Sequence, residues 1–455
     1  MHEHRADRYT ITVSFARTDI NRKGMKVFKF GGASVNSVER IKNLAGIVKL
    51  YEKEPLVIII SAMGKTTNGL EKVVEAFYAG KKDEALQLFD AVKQHHINIS
   101  KYLLVTHFNT CLTQLTDFFT EVEWLLHDKP VREYDYYYDQ VVCVGELLST
   151  CIISHYLNEE SITNEWLDVR DLVRTDNNFR DAGIDWVVTE ERIKEKMADD
   201  SWQMAGPSVN RQPTTHIYIT QGFIGSTDDN ESTTLGREGS DYTAAVFANI
   251  LNAESLSIWK DVEGVMNADP KLFPDAQLIS ELNFTEVIEM AYYGAQVIHP
   301  KTIKPLQNKG IPLHVKCFLD PSLPGTIIHK KNIKNLPPII VIKQNQALLQ
   351  LNSQDFSFVG EEPMSKLYQL FSKIKMRPNL IQTGAINVQV CLDYRADKIE
   401  QFASEASSLF DVQVEKELSL LTIRHYNSEV FEKLTEGKNI VLTQRTQQTI
   451  QALYK

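Results

Sequence analysis

Short apolar runs that end in glycine- and serine-bearing turns limit what this chain can fold into more than any other feature. Residues 25–30 lead into Gly31-Gly32-Ala33-Ser34, and residues 56–60 lead into Ser61-Ala62-Met63-Gly64. Residues 216–220 run on to Gly222 and Gly225. Runs this short read as buried strands and are far too short to span a bilayer. Helix-spaced stripes follow the first two turns: Val38, Ile41, Leu44, Ala45 and Val48, then Leu70, Val73 and Val74. Strand, tight turn and helix in repetition make an open α/β sheet, whose ligands bind at the carboxyl ends of its strands.

The stretch Thr234-Leu235-Gly236-Arg237-Glu238-Gly239-Ser240-Asp241 is the centre of that arrangement. Its glycines permit a tight turn, and the N–H groups of the helix expected from Tyr242 would face an anion. Arg237 offers a fork for a carboxylate or phosphate. Asp241 would cap the helix, or hold a ligand amine or hydrated magnesium; a plain loop is the alternative. On the first strand, Lys29 shares the face of Val27. It is either a cation aimed at phosphoryl oxygens or a lysine snorkelling to the sheet edge. Thr67 or Asn68 would cap the helix that follows the second strand.

Residues 82–130 carry the pattern of a long helical hairpin, and 134–138 read as an aromatic loop leading into the site. In the helix expected from Asp139, Gly145 allows close packing and leaves Glu146 facing either a pocket or solvent. Strand 256–259 ends in Lys260 and Asp261, with Met266, Asp269 and Lys271 beyond. Residues 296–298 read as a short strand, and His299 before Pro300 as structural.

The chain has 455 residues, 43% of them hydrophobic, which is enough for two or three cores. A net charge of -10 argues against a nucleic-acid groove and leaves room for a local anion site. Five scattered cysteines read as buried thiols of a reducing, cytoplasmic compartment. No zinc spacing occurs, since His95 and His96 are adjacent, and no metal ligand set is expected. Residues 1–24 lack the apolar core of a secretory signal and read as a disordered extension, or as a start assigned too far upstream.

Pro321, Pro324, Gly325, Pro337 and Pro338 mark a boundary. The expected division is a catalytic domain at 25–325, a linker at 326–338 and an α+β region at 339–455. That last region reads as two small modules side by side, the second shortened and closing on a helix at 446–454.

Lys29, Arg237, Lys260 and Lys271 join three glycine-rich turns and the carboxylates Glu146, Asp241 and Asp261. Phosphoryl transfer uses this mixture of cations, N–H groups and a divalent metal. Neither a hydrolase triad nor a dinucleotide fingerprint is present. The residues alone therefore describe a nucleotide-dependent kinase for a small molecule.

Taken in order, Lys29-Phe30-Gly31-Gly32-Ala33-Ser34, Gly145-Glu146, the 234–241 stretch and Gly294-Ala295-Gln296-Val297-Ile298-His299-Pro300 resemble the motifs of aspartate kinases in the amino acid kinase superfamily. The resemblance runs over 25–325 and more weakly to the end. It implies an α/β three-layer sandwich with a C-terminal ACT-like region, and transfer of phosphoryl from ATP with Mg2+ to L-aspartate. Lys29, Gly31, Gly32 and Asp241 would be catalytic. Arg237 would clamp a carboxylate and Glu146 the amino group, with Ser61, Thr67 and Ser240 completing the substrate site. Lys260, Asp261, Met266, Lys271 and Gln296 would face the nucleotide.

The resemblance also implies a homodimer through the C-terminal region and a lysine or threonine effector, with no nucleic-acid or membrane partner. The short tail suggests that either effector is sensed poorly. The sequence departs from the family at Ala33, Glu238, Lys260, Met266, Lys271 and Gln296, where threonine, glycine, threonine, tyrosine, arginine and lysine are usual. A kinase for another small acid and a non-catalytic amino-acid-sensing scaffold are the rival readings.

Overall fold

The structure, a computed structural model, describes residues 24–198 and 217–455. The expectation for 1–24, Gly24 apart, and the start of the run at His216 lie outside these residues. Strand β1 (Lys26–Phe30) passes through a single 3-10 turn, Gly32–Val35, into α1 (Val38–Lys49). Strand β2 (Leu56–Ile60), buried at every position, leads into α2 (Thr66–Tyr78). The helical hairpin is α3 (Lys82–Leu103) and α4 (Phe108–His127).

The aromatic run expected as a loop is helical instead, as the start of α5 (Tyr134–Val142), which precedes α6 (Val144–Glu159). The reason is packing. Tyr137 and Val141, one turn apart, are buried, and the rings of Phe77 and Tyr78 on α2 meet Tyr137 and Tyr134 edge-on at 5.2 and 5.4 Å. Residues 134–159 form the one stretch among the described residues long and apolar enough to cross a membrane, but 89% of its most apolar window is buried inside the fold. It therefore reads as a core segment.

Next come β3 (Glu165–Leu167), α7 (Val169–Leu172), α8 (Trp186–Ala198) and β4 (Ile217–Gln221). A hairpin, β5 (Ile224–Ser226) and β6 (Ser232–Thr234), stands between β4 and α9 (Gly239–Ile250). The chain continues through β7 (Ser255–Lys260), the short β8 (Val265–Met266) and β9 (Leu278–Ile279), and β10 (Glu281–Asn283). Helices α10 (Phe284–Tyr293) and α11 (Pro300–Lys309) precede β11 (Leu313–Cys317) and β12 (Thr326–His329). Residues 296–298, expected as a strand, form a turn, and His299 caps α11 by accepting from the Lys301 N–H at 3.1 Å.

Eight strands form one sheet in the order β10-β12-β11-β7-β1-β2-β4-β3, with parallel pairing across the centre. Helix α9 packs on β1, β2 and β7 and against α11, while α6 packs on β2, β3 and β4 and against α4. The two helical groups enclose the sheet as an α/β three-layer sandwich. The first crossings explain the site's position: β1, β2 and β7 are neighbours, so the turns after them meet at one edge.

Beyond residue 338 the chain builds a second, antiparallel sheet. Its elements are β13 (Ile339–Ser353), α12 (Glu361–Ile374), β14 (Leu380–Thr383), β15 (Asn387–Asp393), α13 (Ala396–Ala406), β16 (Phe410–Arg424), α14 (Ser428–Thr435), β17 (Ile440–Arg445) and β18 (Thr449–Tyr454). The strand order is β14-β15-β13-β16-β18-β17.

The modules are nested, not consecutive. β13 and β16 pair along 15-residue lengths broken by register shifts between Lys343 and Leu348. Asn345 and Glu417 take left-handed φ of 56° and 62° near this break. On one side of it, residues 348–353 of β13 and 410–415 of β16 enclose α12, β14, β15 and α13 around a separate core that includes Leu349, Phe371 and Phe402. On the other side, residues 339–343 of β13 and 419–424 of β16 combine with α14, β17 and β18. The closing helix expected at 446–454 is in fact strand β18, because pairing on both sides with β16 and β17 outweighs local preference.

Two joints hold the second sheet to the first. The Ile340 N–H donates to the Asn267 carbonyl at 2.7 Å, and the Asn267 side-chain amide donates to the Pro338 carbonyl at 3.0 Å. The Arg424 guanidinium, at the end of β16, grips Glu286 of α10 with bonds of 2.6 and 2.9 Å.

Candidate active site

The strand ends open onto a cavity of about 620 Å3. Nine of the residues singled out from the sequence line it: Lys29, Gly32, Ser61, Thr67, Glu146, Arg237, Ser240, Asp241 and Lys260. They come from β1, the turns after β1 and β2, α2, α6, the start of α9 and the end of β7. Gly32 is needed because a Cβ there would lie 2.5 Å from the Ala62 carbonyl oxygen, where the first two turns cross.

Lys29 Nζ lies 2.6 Å from Asp241 Oδ1. Burial pushes the Asp241 carboxyl up, but Lys29 and then Lys260 outweigh it and hold the group below the usual carboxylate range. Asp241 is the third residue of α9, not its cap. The cap position belongs to Glu238, in left-handed backbone at φ 55°. That conformation costs a non-glycine residue on the order of 1 kcal/mol. It brings Glu238 Oε2 to the His299 N–H at 3.0 Å, tying the arginine loop to the 294–299 turn. Thr67 likewise sits inside the first turn of α2, whose cap residue is Lys65.

Glu146 is buried in α6. Oε1 accepts from the Ala62 N–H at 3.2 Å, and Oε2 is buried with no hydrogen-bond partner. Burial pushes its carboxyl up to about 8, against the Ala62 hydrogen bond. Gly145 makes this placement possible: a Cβ there would stand 3.1 Å from the Ala62 side chain and 3.2 Å from that of Thr66. Arg237 is exposed at the mouth and has no ion-pair partner among the described residues.

Tyr138 and Arg180 also line the cavity; Tyr138 ends the aromatic run expected to lead into the site, whereas nothing in the sequence singled out Arg180. The Arg180 guanidinium lies 4.3 Å from the centre of the Tyr138 ring. Asp139 holds this wall by accepting from the Arg180 N–H at 3.0 Å and from the Thr234 N–H at 2.8 Å. Asp139 itself is visible in the sequence, but nothing there links it to residues 41 and 95 positions away.

A second cavity, of about 460 Å3, adjoins the first across Lys260. Met266, Lys271 and Gln296 line it, together with Ile339, Ile340, Val341 and Ile342 of β13. The Lys260 ammonium donates to the Val297 carbonyl at 2.7 Å. Asp261 and Gly31 line neither cavity, and Asp261 is ion-paired with Arg40 of α1.

All five cysteines are buried and free. Although their spacing suggests no metal, the fold brings Cys111, Cys151 and His155 together with ligand atoms within 4.8 Å of one another. His155 is bonded to Gln114 at 3.2 Å, and none of the three lines either cavity.

The amino acid kinase family profile matches residues 24–317. Lysine-sensitive aspartokinase 3 of Escherichia coli K12 is 30% identical over 87% of this chain and 86% of its own length. The chloroplastic aspartokinase 1 of Arabidopsis thaliana is 32% identical over 83% of this chain, which spans 65% of that relative's length. The crystal structure of E. coli aspartokinase III with aspartate and ADP superposes with a TM-score of 0.75 at 28% identity, covering 94% of this chain and 96% of that one. On motif order, fold and similarity, the chain belongs to the amino acid kinase family, among its aspartokinases.

Proposed function

We propose that this enzyme transfers the γ-phosphoryl group of ATP to the side-chain carboxylate of L-aspartate, giving ADP and 4-phospho-L-aspartate. This is the first step toward lysine, threonine and methionine. The observation that carries the reading is the pairing of Glu146 with Arg237 in one cavity beside Lys29. A buried carboxylate oxygen without a partner suits an ammonium group, and a free guanidinium suits a carboxylate. Together they fit the zwitterionic head of an amino acid and leave its second carboxylate free to react. A carboxylate oxygen attacks phosphorus, the bond to the bridging β,γ-oxygen breaks, and ADP leaves. That nucleophile is ionised at neutral pH, so the site needs no general base.

Lys29 neutralises charge developing on the transferring group, and the backbone at Gly32, which lines the cavity as Gly31 does not, offers an N–H group to it. Ser61, Thr67 and Ser240 orient the substrate. Asp241 holds Lys29 in place through their ion pair, and Lys260 links the two cavities. Met266, Lys271 and Gln296 face the nucleotide; Asp261 contributes through Arg40 at most. Magnesium would arrive on the nucleotide phosphates and neutralise them, and Asp241, held ionised, is the buried carboxylate that suits it. The buried free thiols favour a cytoplasmic enzyme, and the exposed edge strand β17 supports a homodimer contact in the C-terminal sheet.

The test is ADP release from magnesium-ATP with hydroxylamine present. Aspartate, and not glutamate or N-acetylglutamate, should give both ADP and a hydroxamate. Release without a trapped acyl phosphate would overturn the reading. Lysine and threonine should inhibit weakly, and strong sub-millimolar inhibition by either would contradict the shortened second module.

Glu146 supplies a pH prediction. Its carboxyl, near 8 in the free enzyme, must ionise to hold an ammonium group. Substrate binding therefore expels a proton. The KM for aspartate should rise about tenfold per unit as pH falls from 8 to 6, since neither aspartate carboxylate titrates there. Glu146→Gln should weaken binding about 10- to 100-fold at pH 8 and flatten the profile. A sloping profile in that variant would assign the proton to another group.

A further inference from the structure

The largest of the cavities described, about 800 Å3, lies between the kinase core and the C-terminal sheet. It is separated from the nucleotide-side cavity by the turn at 294–297, and Lys260, Met266 and Lys271 lie on the other side of that turn. Six cations line it: Arg237, Lys343, Lys375, Arg377, Arg395 and Lys398. Only two carboxylates do so, Glu238 and Asp393, leaving a formal excess of four positive charges (six minus two). The whole chain carries -10, so this concentration runs against the protein's own balance.

The partners of these groups sharpen the point. Glu238 is engaged with the His299 N–H. Asp393 accepts from Gln346 and Asn379 at 3.0 and 2.8 Å. Burial pushes the Asp393 carboxyl up, but those bonds, Lys343 and Arg395 together hold it down. The Lys343 ammonium donates to Asn379, and that of Lys398 donates to the Ile374 carbonyl. The Arg377 guanidinium stands 4.9 Å over the Tyr292 ring. None of the six makes a salt bridge within the chain among the described residues. Arg395 also precedes α13, an 11-residue helix whose N-terminal N–H groups have no side-chain cap. A cleft of one sign, walled by protein, focuses its field and concentrates counter-ions.

We propose that this junction binds a small polyanion, with two or more phosphate or carboxylate groups, at a site separate from the nucleotide and aspartate positions. A monoanion would leave most of the excess charge unmet. With Arg237 engaged by the substrate carboxylate, the guanidinium forks of Arg377 and Arg395 and three lysines remain, and such forks favour planar or tetrahedral oxyanions. Because Arg237 and Glu238 belong to this wall and also to the catalytic cavity, a bound anion touches the loop that clamps the substrate. The separation of the two sites rests on the proposed function.

Calorimetric titration tests this. The full chain is first saturated with L-aspartate and a magnesium-bound, non-hydrolysable ATP analogue, so that the catalytic anion positions are filled. Pyrophosphate is titrated in one arm and tricarballylate in another, with magnesium in excess. One further equivalent should bind in at least one arm, and the stronger arm identifies phosphate or carboxylate chemistry. Lys375→Glu combined with Arg395→Glu should weaken that binding at least tenfold, whereas Lys375→Arg should retain it. Both positions are exposed, so the fold tolerates the change. Absence of an additional equivalent in both arms, or unchanged affinity in the charge-reversed variant, overturns the proposal. Aspartate-dependent ADP release measured on the same preparation shows separately whether the proposed function holds.

Discussion

Replacing Lys29 with alanine should lower kcat by about 10²–10³-fold, the usual effect of deleting a preorganised electrostatic group from a transition state. It should also destabilise the protein. Asp241 is 4% exposed, and Lys29 is its one salt-bridge partner among the described residues. Removing one member of such a buried pair costs roughly 3–5 kcal/mol. The two effects can be separated. Lys29→Met with Asp241→Asn removes both charges and should restore most of the stability, seen as a recovered urea midpoint, while turnover stays low. If Lys29→Ala keeps its kcat, the lysine has no part in the transition state and the assignment of the reacting centre is wrong, whatever happens to the urea midpoint.

Loss of Arg424 should produce the largest stability effect outside the site. Its guanidinium holds Glu286 with two bonds, Glu289 at 3.0 Å and the Thr449 hydroxyl at 3.0 Å. His425 Nε2 stands 3.0 Å from Glu286 Oε2, the oxygen that also accepts from Arg424 Nη2. Arg424→Met leaves Glu286 buried without its main partner and should cost roughly 3–5 kcal/mol. Arg424→Met with Glu286→Gln should recover much of it.

The acid dependence has a definite sign. Burial pushes Glu286 up, but Arg424 and His425 prevail and bring it to about 2, below the ordinary 4.5. A carboxyl with a depressed folded pKa stabilises fully above its unfolded value and loses that contribution as pH falls toward the folded one. The joint between kinase core and C-terminal sheet should therefore loosen between pH 4.5 and 2 in the wild type. Urea midpoints across that window should converge for wild type and Arg424→Met. Parallel curves would show that another carboxyl governs the acid response.

Legibility in the sequence followed the range of the interactions. Lys29, Ser61, Arg237 and Asp241 could be singled out because each lies beside a glycine turn or a strand end, and Glu146 because it follows a glycine inside a helix; those are local signals. Their convergence on one cavity required the order β7-β1-β2-β4, which periodicity does not encode. Arg180 escaped notice because it meets Tyr138 only through the tertiary path of the chain. Asp261 reads as a site residue by position, yet Arg40 on a neighbouring helix claims its carboxylate.

The C-terminal region shows the same division. Its strands and helices were mostly visible, but the nesting of one unit inside the other rests on two left-handed residues and a shifted register. By itself the sequence determined the parallel α/β core, the glycine turns and the charge types at the strand ends, because backbone sterics and burial act over a few residues. Only the tertiary structure decided which ends meet, that residues 449–454 pair as a strand, and that six cations gather at the domain junction. Pairing partners and electrostatic surroundings come from segments far apart in the chain, and their free energies outweigh the local preferences that a sequence displays.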